Sequence, residues 1–395
     1  MSAPRFSARR ALLWCLALLL PLACTDAYMP DAITSPPSYL VVDGFINSQG
    51  VTTIRLSRTY AVASKGPVPV ETRATVYVED EAGTRIVLRE GVAGTYTSPA
   101  TGLNPARKYR LHLNTAGGKE YASEYVPVKT TPPVDAVTWR PDDIGVGLYV
   151  NAHDATAATQ YYRWEFTETW EIIPIYHPSV EYVNNRIRDI AVPYPNKCWG
   201  TAASTTVQIY KTTALSQDVV ADFRLKQLPK TSELLCSQYS ILVQQHALTA
   251  QEYTYWELLR KNTESIGSLF DPQPAQLTGN VRCLNDAAQL ALGFVGAHSV
   301  MEKRLFIRRV ELPGSWRIPT GYESCLPPDT VYVDRPSPPP PNPAAILQGA
   351  FGGSTYLPID ALYNTNGTLL GYSAKGKGCI DCRTRGTSVK PSFWP

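Results

Sequence analysis

Histidine and methionine are scarce, with five and three copies. The histidines stand singly at 112, 153, 177, 246 and 298. None has a partner at metal-ligand spacing, and neither H-E-x-x-H nor G-x-S-x-G occurs, so the primary structure spells out no zinc hydrolase and no nucleophile elbow. A triad or carboxylate pair gathered from distant positions stays open. An excess of charge is also missing. Arg5, Arg9 and Arg10 are the basic residues of an N-terminal leader, and without them 34 basic residues face 34 acidic ones. Such a chain has no long-range field to recruit nucleic acid. Beyond the leader no apolar run is long enough for a membrane helix of about 20 residues. The most apolar stretch, Ala287 to Ala297, is short and broken by glycine.

What is abundant is proline and tyrosine: 33 Pro and 23 Tyr beside 26 Gly in 395 residues. That balance favours strands and turns over a helical bundle. The leader itself has three parts. Basic residues precede the apolar run Ala11 to Leu22, and small Ala23 precedes Cys24. Leu20-Pro21-Leu22-Ala23-Cys24 resembles a bacterial lipobox, although Pro21 stands where Leu is usual. The expectation is a signal peptide over 1–23, Cys24 as lipidated first residue of the mature chain, and a tether over 24–37. Acyl chains of this kind anchor firmly, each buried CH₂ contributing about 0.8 kcal/mol.

Setting aside Cys15 and Cys24, six cysteines remain: Cys198, Cys236, Cys283, Cys325, Cys379 and Cys382. In an exported chain an even number predicts disulfides throughout, with connectivity open. Cys379 and Cys382 form a C-x-x-C that can close on itself or reach Cys325 or Cys198. It lies in a Gly/Lys-rich tail, which favours a structural role over a redox pair or half a zinc site. No metal and no cofactor are expected.

Between residues 38 and 131 short alternating segments follow one another, about seven strands, which predicts an immunoglobulin-like β-sandwich. In the segment around Tyr109, Leu111 and Leu113, His112 falls on the polar side and is expected to be solvated. Thr130-Thr131-Pro132-Pro133 reads as a boundary, followed by a larger β-rich domain over 134–395. There Tyr162, Trp164 and Phe166 alternate with Arg163, Glu165 and Thr167. The aromatic face suits a core strand, and as a second reading a contact platform for a partner. Glu165, Glu168 and Glu171 read as a solvated face rather than an acid–base pair. One amphipathic helix is clear: Thr249 as N-cap, Glu252 completing a capping box, Leu248 and Tyr253 at the staple positions, and an end near Glu264. The run over 336–343, with Pro338, Pro339, Pro340 and Pro341, predicts a polyproline II loop that could dock on a partner.

Several segments together resemble a known family, the outer-membrane lipoproteins of Bacteroidota catalogued as domain of unknown function 4249. They are Cys24 with its short tether, Leu40-Val41-Val42-Asp43-Gly44, Tyr161-Tyr162-Arg163-Trp164, Cys198-Trp199, Tyr239 to Gln245, Gly267 to Pro274, Gly279-Asn280-Val281, and the closing Cys379-Ile380-Asp381-Cys382-Arg383 with Phe393-Trp394. The resemblance implies an outer-membrane lipid anchor. It also implies an accessory, non-enzymatic role beside a TonB-dependent β-barrel receptor in nutrient capture. It supplies no catalytic residues. A structural or assembly protein of the envelope is the alternative, and a hydrolase a more distant one.

Overall fold

The computed structural model describes residues 38–61, 64–264, 277, 279–333 and 342–395. The fold is mainly β, as composition and alternation imply. Leu40–Asn47 pairs antiparallel with Thr53–Arg58, and pairing continues through Thr95–Thr97, Arg85–Glu90, Thr75–Asp80 and Lys108–Asn114 to Val126–Lys129. The ring is closed by a strand from far along the chain. Ala297–His298 lies parallel to both Val126–Lys129 and Leu40–Asn47. These eight strands form a barrel-like sheet, and closing it removes the bare edges that the first and last strands would otherwise expose. Its interior holds Leu40, Ile46, Ile54, Val76, Leu111, Leu113 and Tyr121, together with Val281, Val295 and Ala297.

That arrangement corrects the boundary expected from sequence. The chain leaves the first core after Lys129, but residues of the stretch 281–298 return to it, so the range 134–395 is not one separate body. The reason is the register of Leu40–Asn47. Its free edge faces Ala291–Leu292 and Ala297–His298, the strands that pair with it there among the described residues.

The second core lies between two sheets. One is three-stranded, Val134–Pro141, Gly145–His153 and Val219–Pro229. The other is centred on Tyr161–Ile172, flanked on one side by Cys198–Ala203 and Gln208–Lys211, and on the other by Gln238–Ala247 and then Val300–Arg308. Trp164, Phe166, Ile241 and Val243 from the five-stranded sheet meet Leu148 and Val150 from the three-stranded one.

Helix α1 (Ala250–Glu264) begins where the sequence places it. The Thr249 hydroxyl accepts the Glu252 amide at 3.1 Å, and Leu248 and Tyr253 share one small apolar cluster. The Glu252 side chain is buried and turned toward His298. A third, smaller unit combines the strands Asp329–Tyr332, Leu369–Gly376 and Tyr356–Tyr363 with helix α2 (Pro343–Phe351). Asn342 caps α2 through Ala344 N, and Pro343 opens it, a position where its missing N–H costs nothing.

Candidate functional site

The C-terminal tail is fastened to the second body by two disulfides. Cys382 joins Cys198 on the edge of the five-stranded sheet, and Cys379 joins Cys325. The C-x-x-C therefore splits between two partners. Cys236 and Cys283 carry no disulfide, which corrects the expectation that all six pair. The cause is their placement. Cys236 follows the turn Glu233–Leu235 beside the second core, and Cys283 ends the strand Val281–Cys283 on the edge of the first sheet.

Beside the stapled tail a cavity of about 270 Å³ is lined by Trp170, Glu171, Ile172, Glu233, Cys236, Thr320 and Arg385. Glu171 is buried and saturated: it accepts from Lys197 Nζ at 2.7 Å, Ser237 Oγ at 2.5 Å and Trp394 Nε1 at 3.1 Å. Burial works to raise its pKa, but Lys197 and Ser237 outweigh it and hold the carboxyl below its ordinary range. Burial pushes the Cys236 thiol up, and the nearby Glu233 and Glu171 add to this. A protonated thiol is a poor nucleophile. The Arg385 guanidinium lies over the Tyr322 ring at 4.2 Å, with its Nη1 3.8 Å from Glu233. The floor of this cavity thus holds a carboxylate with three donors on it, a thiol pushed toward its protonated form and a stacked cation. Glu233, a second carboxylate of the lining, is half-exposed.

The other acidic and basic side chains singled out in the sequence are also engaged in structure. Glu168 is buried, accepting from Tyr239 Oη at 2.7 Å and Lys226 Nζ at 2.5 Å. Glu165 pairs with Arg163. A solvated face for these carboxylates holds only for Glu165, because Lys226 and the tail cover the other two. His112 is likewise buried rather than solvated. It sits between Glu79 at 3.2 Å and Glu120 at 2.7 Å and stacks on Tyr77. Arg85 and Arg110 converge on the same Glu79 and roof over the face.

Tyr162 and Trp164 are fully buried, which removes them as partner contacts. The Tyr162 hydroxyl donates to Asp218 at 3.0 Å, the Trp164 indole donates to Gln245 at 2.9 Å, and Trp164 stacks on Phe223. Cys24 and the prolines Pro338, Pro339, Pro340 and Pro341 lie outside the described residues.

A family model described as a domain of unknown function (DUF4249) matches residues 25–304. The chain belongs to this family. The match takes in the eight-strand ring and nearly all of the five-stranded sheet, while the disulfide-bonded Cys325, Cys379 and Cys382 lie beyond it. No curated protein matches the chain. Sequence reasoning did not single out Arg385 or the joint placement of Glu171 with Cys236. The residues that build this cavity come from 170–172, 233–236, 320 and 385, and no local spacing links them.

Proposed function

We propose that this DUF4249 chain is an exported, non-enzymatic lipoprotein. Cys24 anchors it in the outer membrane, where it assists a TonB-dependent β-barrel receptor in nutrient capture. The observation that carries the reading is the tail closed by two disulfides, since such bonds persist in an oxidising, extracytoplasmic compartment. The use of Glu168, Glu171 and His112 in internal hydrogen bonds supports binding over catalysis. The seven ring strands between Leu40 and Lys129 agree in number with an immunoglobulin-like sandwich, which stays the proposed reading of 38–131.

With Tyr162 and Trp164 in the core, the proline run Pro338–Pro341 is the proposed receptor contact, because the fixed φ of proline leaves such a run little entropy to lose on docking. Removing residues 336–341 keeps Asn342 and Pro343, and with them the start of α2. This deletion should leave fold and anchoring intact while weakening recovery of the barrel. Unchanged recovery would discard the loop as the contact. Cys24→Ala should leave an unprocessed or unanchored chain, and normal membrane retention would refute the lipid anchor.

A further inference from the structure

Strand alternation puts two aromatic rings on the outside of the ring. In Leu40–Asn47, Ile46 points into the first core and Phe45 out of it; in Ala297–His298, Ala297 points in and His298 out. Both outward rings meet the five-stranded sheet at His246. Phe45 and His298 stack at 4.3 Å, and His246 stands edge-on to them at 5.2 Å and 5.1 Å. His246 is 1% exposed and His298 0%, and none of their four ring nitrogens has a hydrogen-bond partner.

The charged groups around this cluster are few. Arg163 is the register neighbour of His246 on Tyr161–Ile172, lies 7% exposed under Trp256 of α1, and is paired with Glu165. A Glu165 oxygen stands 3.8 Å from His246 Nε2. From α1, Glu252 approaches His298 Nε2 at 3.7 Å, and Lys129, opposite His298 in register, donates to Ala158 O. Val300, opposite His246 on the other side, is apolar.

We propose that His246 is an acid-sensitive pin of the seam between the eight-strand ring and the five-stranded sheet: taking up a proton, it releases Phe45 and His298 from the sheet. A neutral imidazole packs between aromatic rings at small cost. An imidazolium there is a desolvated cation beside the Arg163 guanidinium, and Glu165, the carboxylate within its reach among the described residues, is already shared with Arg163. Burial, Arg163 and His298 all hold the His246 pKa well below the usual histidine range. A base with a depressed folded pKa contributes stability above its unfolded value of about 6.5 and loses it as pH falls below that. The seam therefore loosens on the acid side, by up to about tenfold in its opening equilibrium per pH unit.

Hydrogen exchange of the full chain from residue 25 tests this at peptides covering 44–48, 244–248 and 296–300, with intrinsic rates corrected. Opening should rise about fivefold between pH 6.5 and 5.5, and His246→Gln should abolish that rise. A seam equally protected down to pH 5, or an identical rise in the Gln variant, would overturn the proposal. Should that variant fail to fold, carbon NMR of the wild-type imidazoles decides. His246 should stay neutral through about pH 6.5 while the seam is closed. Protonation at or above that pH in a still-protected seam would refute the pin.

Discussion

At the scale of single residues, the side chains most suggestive of chemistry work as internal struts. Glu171 is the clearest, with three donors on one carboxylate. Because its folded pKa is depressed, its contribution is complete above the ordinary glutamate value of about 4.3 and is lost as pH falls through the folded value. Glu171→Gln should therefore cost about 1–3 kcal/mol at pH 7, and the gap from wild type should close below about pH 4. Urea midpoints across that range measure it, and a pH-independent gap would show that the ion pair is not its source. Thiol counting reads the cysteines directly. Alkylating the denatured, unreduced chain from residue 25 should label Cys236 and Cys283 and no others. Label on Cys379 or Cys382 would break the proposed staples. Alternation located the polar side of the strand bearing His112. It carried no information on the cover that Arg85 and Arg110 supply through Glu79, and the same blindness made Glu168 and Glu171 look solvated.

At the scale of elements, what the sequence spelled locally is what folded as expected. Helix α1 is specified within a few residues, by Thr249 at its cap and Leu248 against Tyr253. Thr249→Ala should lower stability by about 1 kcal/mol, seen as a lower urea midpoint with unchanged slope, and no change would mean that the cap is redundant. The central strand Tyr161–Ile172 was legible for the same reason, since Tyr162, Trp164 and Phe166 alternate with polar residues along it. The disulfide partners were legible only as alternatives: Cys325 and Cys198 stood beside closure of the C-x-x-C on itself, and the chain uses both. Cys198 and Cys382 stand 184 residues apart, and pairing at that range depends on the tail's path across Trp199, where Thr387 bridges the sheet edge.

At the scale of the whole molecule, the closure of the first ring by Ala297–His298 ties the two cores together. No sequence pattern announces that the two-residue strand Ala297–His298 completes a sheet begun at Leu40, so the expected domain border failed there. The consequence is testable. The fragment 38–131 lacks the closing strand and the core residues Val281, Val295 and Ala297. It should give a poorly dispersed NMR spectrum and bind hydrophobic dye. A sharp, dispersed spectrum would mean that the ring closes without its distant strand.

The receptor partnership rests most directly on what accompanies the full-length, lipid-anchored chain in its own membrane. After mild crosslinking in cells and detergent solubilisation, purification through the chain should recover a TonB-dependent β-barrel as a stoichiometric companion. Recovery of the intact, acylated chain with no barrel bound would contradict the accessory role.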